Sequence, residues 1–109
     1  MNINTLFLSG FNAENPSVNY FVELKENTYI FDVKWNNYCD CAFLSIYDYY
    51  NNPIIIGIAL VNNLKIRNNK LPYVFYFTHI NEETYEPTID NISKDFVLAY
   101  TEEEEYNNV

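Results

Sequence analysis

Few of the residues in this chain that could do chemistry stand at the spacing chemistry requires. Cys39-Asp40-Cys41 is a two-thiol motif that could hold a soft metal. A structural zinc site needs four ligands, and the sequence offers one histidine, His79, and no second cysteine pair. The motif therefore reads as loop thiols, reduced by default in a chain without secretory signs. Met1–Leu8 lacks a basic n-region and a small-residue cleavage site, so it does not read as a signal peptide. Glu23 and Asp32 could form the carboxylate pair of a glycosidase. Both fall on one face of a predicted hairpin, diagonally placed, together with Lys25 and Lys34. A solvated, mixed-charge face accounts for all four, and nothing in the pattern implies the burial that raises a carboxyl pKa. His79 has no glycine-flanked serine beside it, and two glycines cannot build a phosphate loop or a nucleophile elbow. It reads as a structural histidine. No catalytic residue, cofactor or metal ligand is assigned.

The aromatic residues carry the stronger signal. Eleven Tyr and eight Phe could form a base-stacking platform, but such platforms sit in positively charged grooves. Here the rings interleave mostly with Asn, Asp and Glu, and the net charge is −9 with only six Lys and Arg. Direct nucleic-acid binding is disfavoured, because affinity grows with each phosphate neutralised. An anionic membrane surface is disfavoured for the same reason. The charge suits a basic protein partner. A DNA-mimicking inhibitor would need ordered carboxylate rows that the sequence does not display. The rings read as core plus protein interface, where a Tyr hydroxyl finds partners. Tyr38, Tyr49, Tyr50 and Tyr85, all near predicted turns, are the interface candidates. Glu102–Glu105 reads as a solvated tail, or more sharply as a docking arm for a basic neighbour.

The elements that must position these residues are strands. Val18, Tyr20, Val22 and Leu24 alternate with polar positions, as do Tyr29, Phe31, Val33 and Trp35. Alternation on both sides of Glu26-Asn27 predicts an antiparallel hairpin with one apolar face. A two-residue loop there would set Leu24 opposite Tyr29 and Val22 opposite Phe31. Only Phe21 and Ile30 are left among the polar residues of the other face. Residues 42–49 predict a third strand, and Tyr50–Pro53 a turn. Ile54–Val61 is uncharged, β-branched and too short for a helix across a bilayer, which takes ~20 apolar residues. It predicts a strand buried on both faces, central or at an interface, with a bulge or close approach at Gly57. Strands over 73–80 and 95–100 follow, with one helical turn over 88–92. The fold class is all-β: a small antiparallel barrel or sandwich of six to seven strands in a single domain. Residues 1–17 form a leader, 18–101 the β domain and 102–109 an acidic tail.

The order of these features resembles the phage baseplate plug family of contractile-tailed phages and related phage-tail-like bacteriocins. The resemblance rests on Tyr29–Asn36, ending in Trp-Asn, then Phe43–Asp48, the turn Asn51-Asn52-Pro53, and Ile54–Val61. It closes with Glu86–Ile92 and Phe96–Tyr100 and covers residues 18–101. The first hairpin departs from it, with Glu26-Asn27 where the family usually has a glycine-containing turn. The resemblance implies a non-enzymatic structural protein of a virion or tail-like particle, assembled in the bacterial cytoplasm. Its implied partners are the baseplate hub, tail tube and spike proteins, and further copies of itself, without direct contact to nucleic acid or membrane. The alternative is a small carbohydrate-binding or carbohydrate-processing module using surface Tyr and Trp35. Trp35 discriminates the two: packed in the core it fits the structural reading, exposed beside carboxylates it fits the rival.

Overall fold

Alternation along residues 17–36 folds the chain into a hairpin with one apolar face, and the remaining strands bury that face. The computed structural model describes residues 2–104. Among them the strands are β1 (Asn4–Leu6), β2 (Ser17–Leu24), β3 (Asn27–Asn36), β4 (Cys41–Asp48), β5 (Pro53–Ala59), β6 (Leu64–Ile66), β7 (Tyr73–His79) and β8 (Phe96–Glu102), with one helix, α1 (Ile92–Asp95). They form two antiparallel sheets, ordered β2-β3-β4-β5 and β1-β8-β7-β6. The sheets are not closed into a barrel. The architecture is a sandwich, one of the two forms expected.

The first turn is displaced from its expected place. Lys25 and Glu26, not Glu26 and Asn27, occupy it, and Leu24 pairs with Asn27. Both turn residues have positive φ, 47° and 69°, the backbone that a two-residue hairpin favours. Val22 therefore faces Tyr29, and Tyr20 faces Phe31. A pairing shift of two residues leaves every side chain on its own face. Alternation is blind to such a shift, and the buried set of Val22, Leu24, Phe31 and Val33 is as expected.

β5 is a correction. Of the two placements expected, central or at an interface, the central one is overturned: β5 is an edge strand bonded only to β4. Its register against β4 shifts between Leu44 and Ile46 and again between Ile46 and Tyr47. Gly57 sits at φ 66° inside this irregular stretch, where its N–H donates to Ser45 Oγ at 2.9 Å. The expected bulge at Gly57 is present. An apolar run reports how much of a strand is covered, not how many strands flank it. Ile55 is buried in the core, while Ile56 on the opposite side is 64% exposed.

The segment expected as a leader supplies part of the sandwich. β1 pairs with β8, and Leu8 and Phe11 are fully buried. β6 lies in a stretch whose polarity concealed it. It pairs with β7, matching Leu64 to Phe77 and Ile66 to Phe75. The helical turn begins later than expected, at Ile92, preceded by reciprocal bonds between Thr88 and Asn91. Glu102 belongs to β8, and Glu103 pairs with Arg67 at 2.7 Å. The rest of the expected acidic tail, from Glu105 on, lies outside the described residues. The two layers meet through rings, with Phe31 of β3 centred 5.5 Å from Phe75 of β7. Phe75 continues to Tyr100 at 5.3 Å, and Phe77 stacks on Phe96 at 5.5 Å.

Phe11 provides a test of whether the N-terminal segment is structural. Truncation of a buried Phe to Ala costs about 3–5 kcal/mol. Urea unfolding of Phe11→Ala should show a loss of that size. A loss within experimental scatter would make the segment dispensable.

Candidate docking surfaces

The predicted interface tyrosines occupy three different environments. Tyr38, in the β3–β4 connection, is fully exposed. The cysteines beside it are not free thiols as expected but a Cys39–Cys41 disulfide. Asp40 between them adopts φ 51°, and the Cα atoms stand 5.4 Å apart, within bridging range. The expected reduced state came from cellular compartment. The local backbone decided the pairing.

Tyr49 and Tyr50 lie in the β4–β5 turn, both exposed, with rings in an edge-to-face pair 6.0 Å apart. The turn is built by Asp48. Its Oδ1 accepts the backbone N–H groups of Tyr50 and Asn52 at 2.9 Å, and its Oδ2 accepts Asn52 Nδ2 at 3.0 Å. These bonds from Asn52 and Tyr50 hold the Asp48 carboxyl below its usual pKa, so it stays ionised. Tyr49, Tyr50 and Asp48 share a hollow of about 580 Å³ with Glu26, Thr28 and Tyr29 from the β2–β3 hairpin.

Tyr85 is different. It is 45% exposed, yet its hydroxyl belongs to an internal chain. The Asn81 N–H donates to Nδ1 of buried His79 at 2.9 Å, which assigns the imidazole proton to Nε2. Nε2 faces the Tyr85 oxygen at 2.6 Å, and the Tyr85 hydroxyl donates to Asp95 Oδ2 at 3.2 Å. Asn62 completes the latch. Its backbone N–H donates to Glu86 Oε1 at 2.8 Å, and its Nδ2 donates to the Glu83 and Tyr85 carbonyls at 2.8 and 3.0 Å. These bonds tie the acidic loop after β7 to the β5–β6 connection and to α1. The loop geometry accounts for His79 as a structural residue. Sequence reading missed Asn62; its only signal was membership in an Asn doublet.

The other candidates are dispersed. Glu23 lies opposite Thr28 and Asp32 opposite Asn19, which separates them by four residues, or ~13 Å along the strands. That exceeds the spacing of glycosidase carboxylates, about 5–9.5 Å. Asp32 pairs instead with Lys34 at 3.6 Å. Trp35 is half-buried and packs on the core. Among the described residues no cluster of three or more His, Cys, Asp or Glu could hold a metal. No helix there is long and apolar enough to cross a membrane. Phe21 and Ile30, the two apolar residues expected on the outer face of the hairpin, stand beside each other and beside Tyr47 on the outer face of the β2–β5 sheet.

Residues 10–104 match a family described as "Cyanophage baseplate Pam3 plug gp18". The chain belongs to this baseplate plug family. The match begins at Gly10, so it takes in buried Phe11 and both sheets except β1. No curated protein matches the chain. For this plug-family member, the surfaces that bear on function are therefore those able to meet other baseplate components.

Three phenols titrate late. Burial pushes the Tyr20 hydroxyl, which donates to the Ser9 carbonyl at 2.8 Å, up to about 12. Burial also raises Tyr85, with added effects of the Asp95 hydrogen bond and the Asp95 and Glu83 charges, and raises Tyr100 along with the influence of Tyr73. The neutral phenols are favoured in the folded state, so each contribution is complete below the ordinary value of 10.0 and is lost as pH rises through the raised value, about 12 for Tyr20. Denaturant midpoints should hold steady up to about pH 10 and fall above it. Tyr20→Phe should fall less steeply over the same range. An unchanged slope in that variant would remove Tyr20 from the account.

Proposed function

We propose that this protein is a non-enzymatic structural component of a contractile-tail baseplate. It plugs or bridges the central hub and tail tube through protein–protein contacts, near the spike. The observation that carries this reading is the plug-family match over residues 10–104. Its site of action is the virion or tail-like particle, assembled in the bacterial cytoplasm.

The physical character of the chain supports an assembly role. A rigid sandwich holds exposed Tyr38, Tyr49 and Tyr50 on short turns, where they can be buried at little cost in side-chain freedom. The net charge of −9 favours encounter with basic neighbours and disfavours a hold on DNA passing nearby. A stable contact would bury on the order of 1,600 Å² in total. Tyr85 is the weakest of the four interface candidates, because its hydroxyl already has internal partners.

Mass spectrometry of purified tails tests the proposal. The protein should be present at a fixed ratio to hub and tube subunits. Finding it free in the lysate and missing from intact tails would overturn the reading.

A further inference from the structure

The outer face of the β2–β5 sheet carries an apolar row that the core does not require. Pairing aligns Phe21 with Ile30, Ile30 with Tyr47, and Tyr47 with Pro53. The row crosses all four strands of that sheet, from one edge to the other. Phe21 is 68% exposed, and Ile56 on the same edge strand as Pro53 is 64% exposed. Phe21 and Pro53 at the two edges are exposed and Ile30 and Tyr47 between them are half-buried, so the row is one continuous apolar strip on the outer surface, and such strips mark interaction surfaces.

An acidic hollow lies alongside the row, at the turn end of the sheet. The β2–β3 and β4–β5 turns lie at the same end of the sheet, since Tyr29 pairs with Asp48 next to both. There the 580 Å³ hollow is lined by Glu26 and Asp48 together with Tyr49 and Tyr50, and the Asp48 carboxylate also holds the turn through Tyr50 and Asn52. Glu23 stands one step along β2 from the row. Of the cations nearby, Lys25 pairs with Glu102 at 3.8 Å, and Lys34, which lines the outer face beside Ile30 and Tyr47, pairs with Asp32 at 3.6 Å. A guanidinium or ammonium group entering the hollow would meet anionic oxygens and aromatic faces together, and both attract a cation.

We propose that this face docks a segment of another baseplate subunit whose apolar side chains cover the Phe21–Ile30–Tyr47–Pro53 row and whose Arg or Lys enters the hollow between Glu26, Asp48 and the Tyr49–Tyr50 pair. A cationic occupant fits a chain of net charge −9, and a second copy of the chain would bring like charge to the same rim. The surface refines the assembly role proposed above and depends on it.

The test uses tails assembled with full-length variants. Phe21→Glu and Tyr50→Ala remove the apolar and aromatic halves of the surface; Glu26→Lys reverses the charge of the hollow. Tyr76→Glu, on the exposed side of the other sheet, is the control. All four positions are exposed, so circular dichroism and melting should match the parent. Incorporation into tails should fall by about tenfold or more for the first three, the equivalent of ~1.4 kcal/mol, and stay at the parental level for Tyr76→Glu. Parental incorporation of Phe21→Glu overturns the docking face. Loss with Phe21→Glu but not with Glu26→Lys overturns the cationic occupant. A dimer of the purified protein that Phe21→Glu dissociates gives the face to a second copy and overturns the proposal. If the parent itself is missing from tails, the baseplate role fails; if the parent is present and the variants enter normally, only the docking face fails.

Discussion

The two sheets share rings rather than strand-to-strand hydrogen bonds, and the fold depends on that ring contact. Phe31 meets Phe75 at 5.5 Å across the layers, and Phe75 passes the contact on to Tyr100. Within each sheet the strands are joined by their own hydrogen-bond ladders. What draws the layers together is removal of apolar surface from water, roughly 25 cal/mol per Å². A chain of 109 residues has a small interior, so nearly every apolar face must be used. That requirement recruits Leu8 and Phe11 from the N-terminal segment and Ile66 from an otherwise polar connection.

With the interior filled this way, polar groups are organised at the periphery. The His79–Tyr85–Asp95 chain and Asn62 bind the acidic loop after β7 to the body. Every buried side-chain nitrogen and oxygen of the described residues has a partner. A buried histidine with both ring nitrogens engaged is therefore accounted for by loop packing. The turn end of the β2–β5 sheet has another character. Asp48 uses its carboxylate to shape the turn, and the two tyrosines that follow are left facing solvent. One polar cluster closes the molecule, and the other leaves a hollow open to solvent.

Much of this was legible in residue order. Alternation in 18–35 named the buried face of the first hairpin, and Gly57 marked the bulge, because only a residue without Cβ adopts φ 66° there at no steric cost. The family, too, was readable from the succession of strand motifs. Less legible were the short elements. β1 and β6 are three residues each, too short for a period to appear, and they exist because longer strands offer them an edge. The Cys39–Cys41 bridge depended on the left-handed backbone at Asp40, which no spacing rule reveals.

The sequence by itself determined which side of each alternating strand is apolar, roughly where the strands are separated and how acidic the chain is. Those are local properties, set by side-chain type and a two-residue period. Tertiary structure decided the register and the neighbours. Pairings two residues apart expose the same faces to the core, so alternation could not tell whether Glu23 and Asp32 were diagonal neighbours or four residues apart. Nor could it tell whether Phe21, Ile30 and Tyr47 were strays or one row. Turn geometry at Lys25-Glu26 and the pairing of β3 with β4 settled both, because only hydrogen bonding between strands distinguishes registers that hydrophobicity leaves equal.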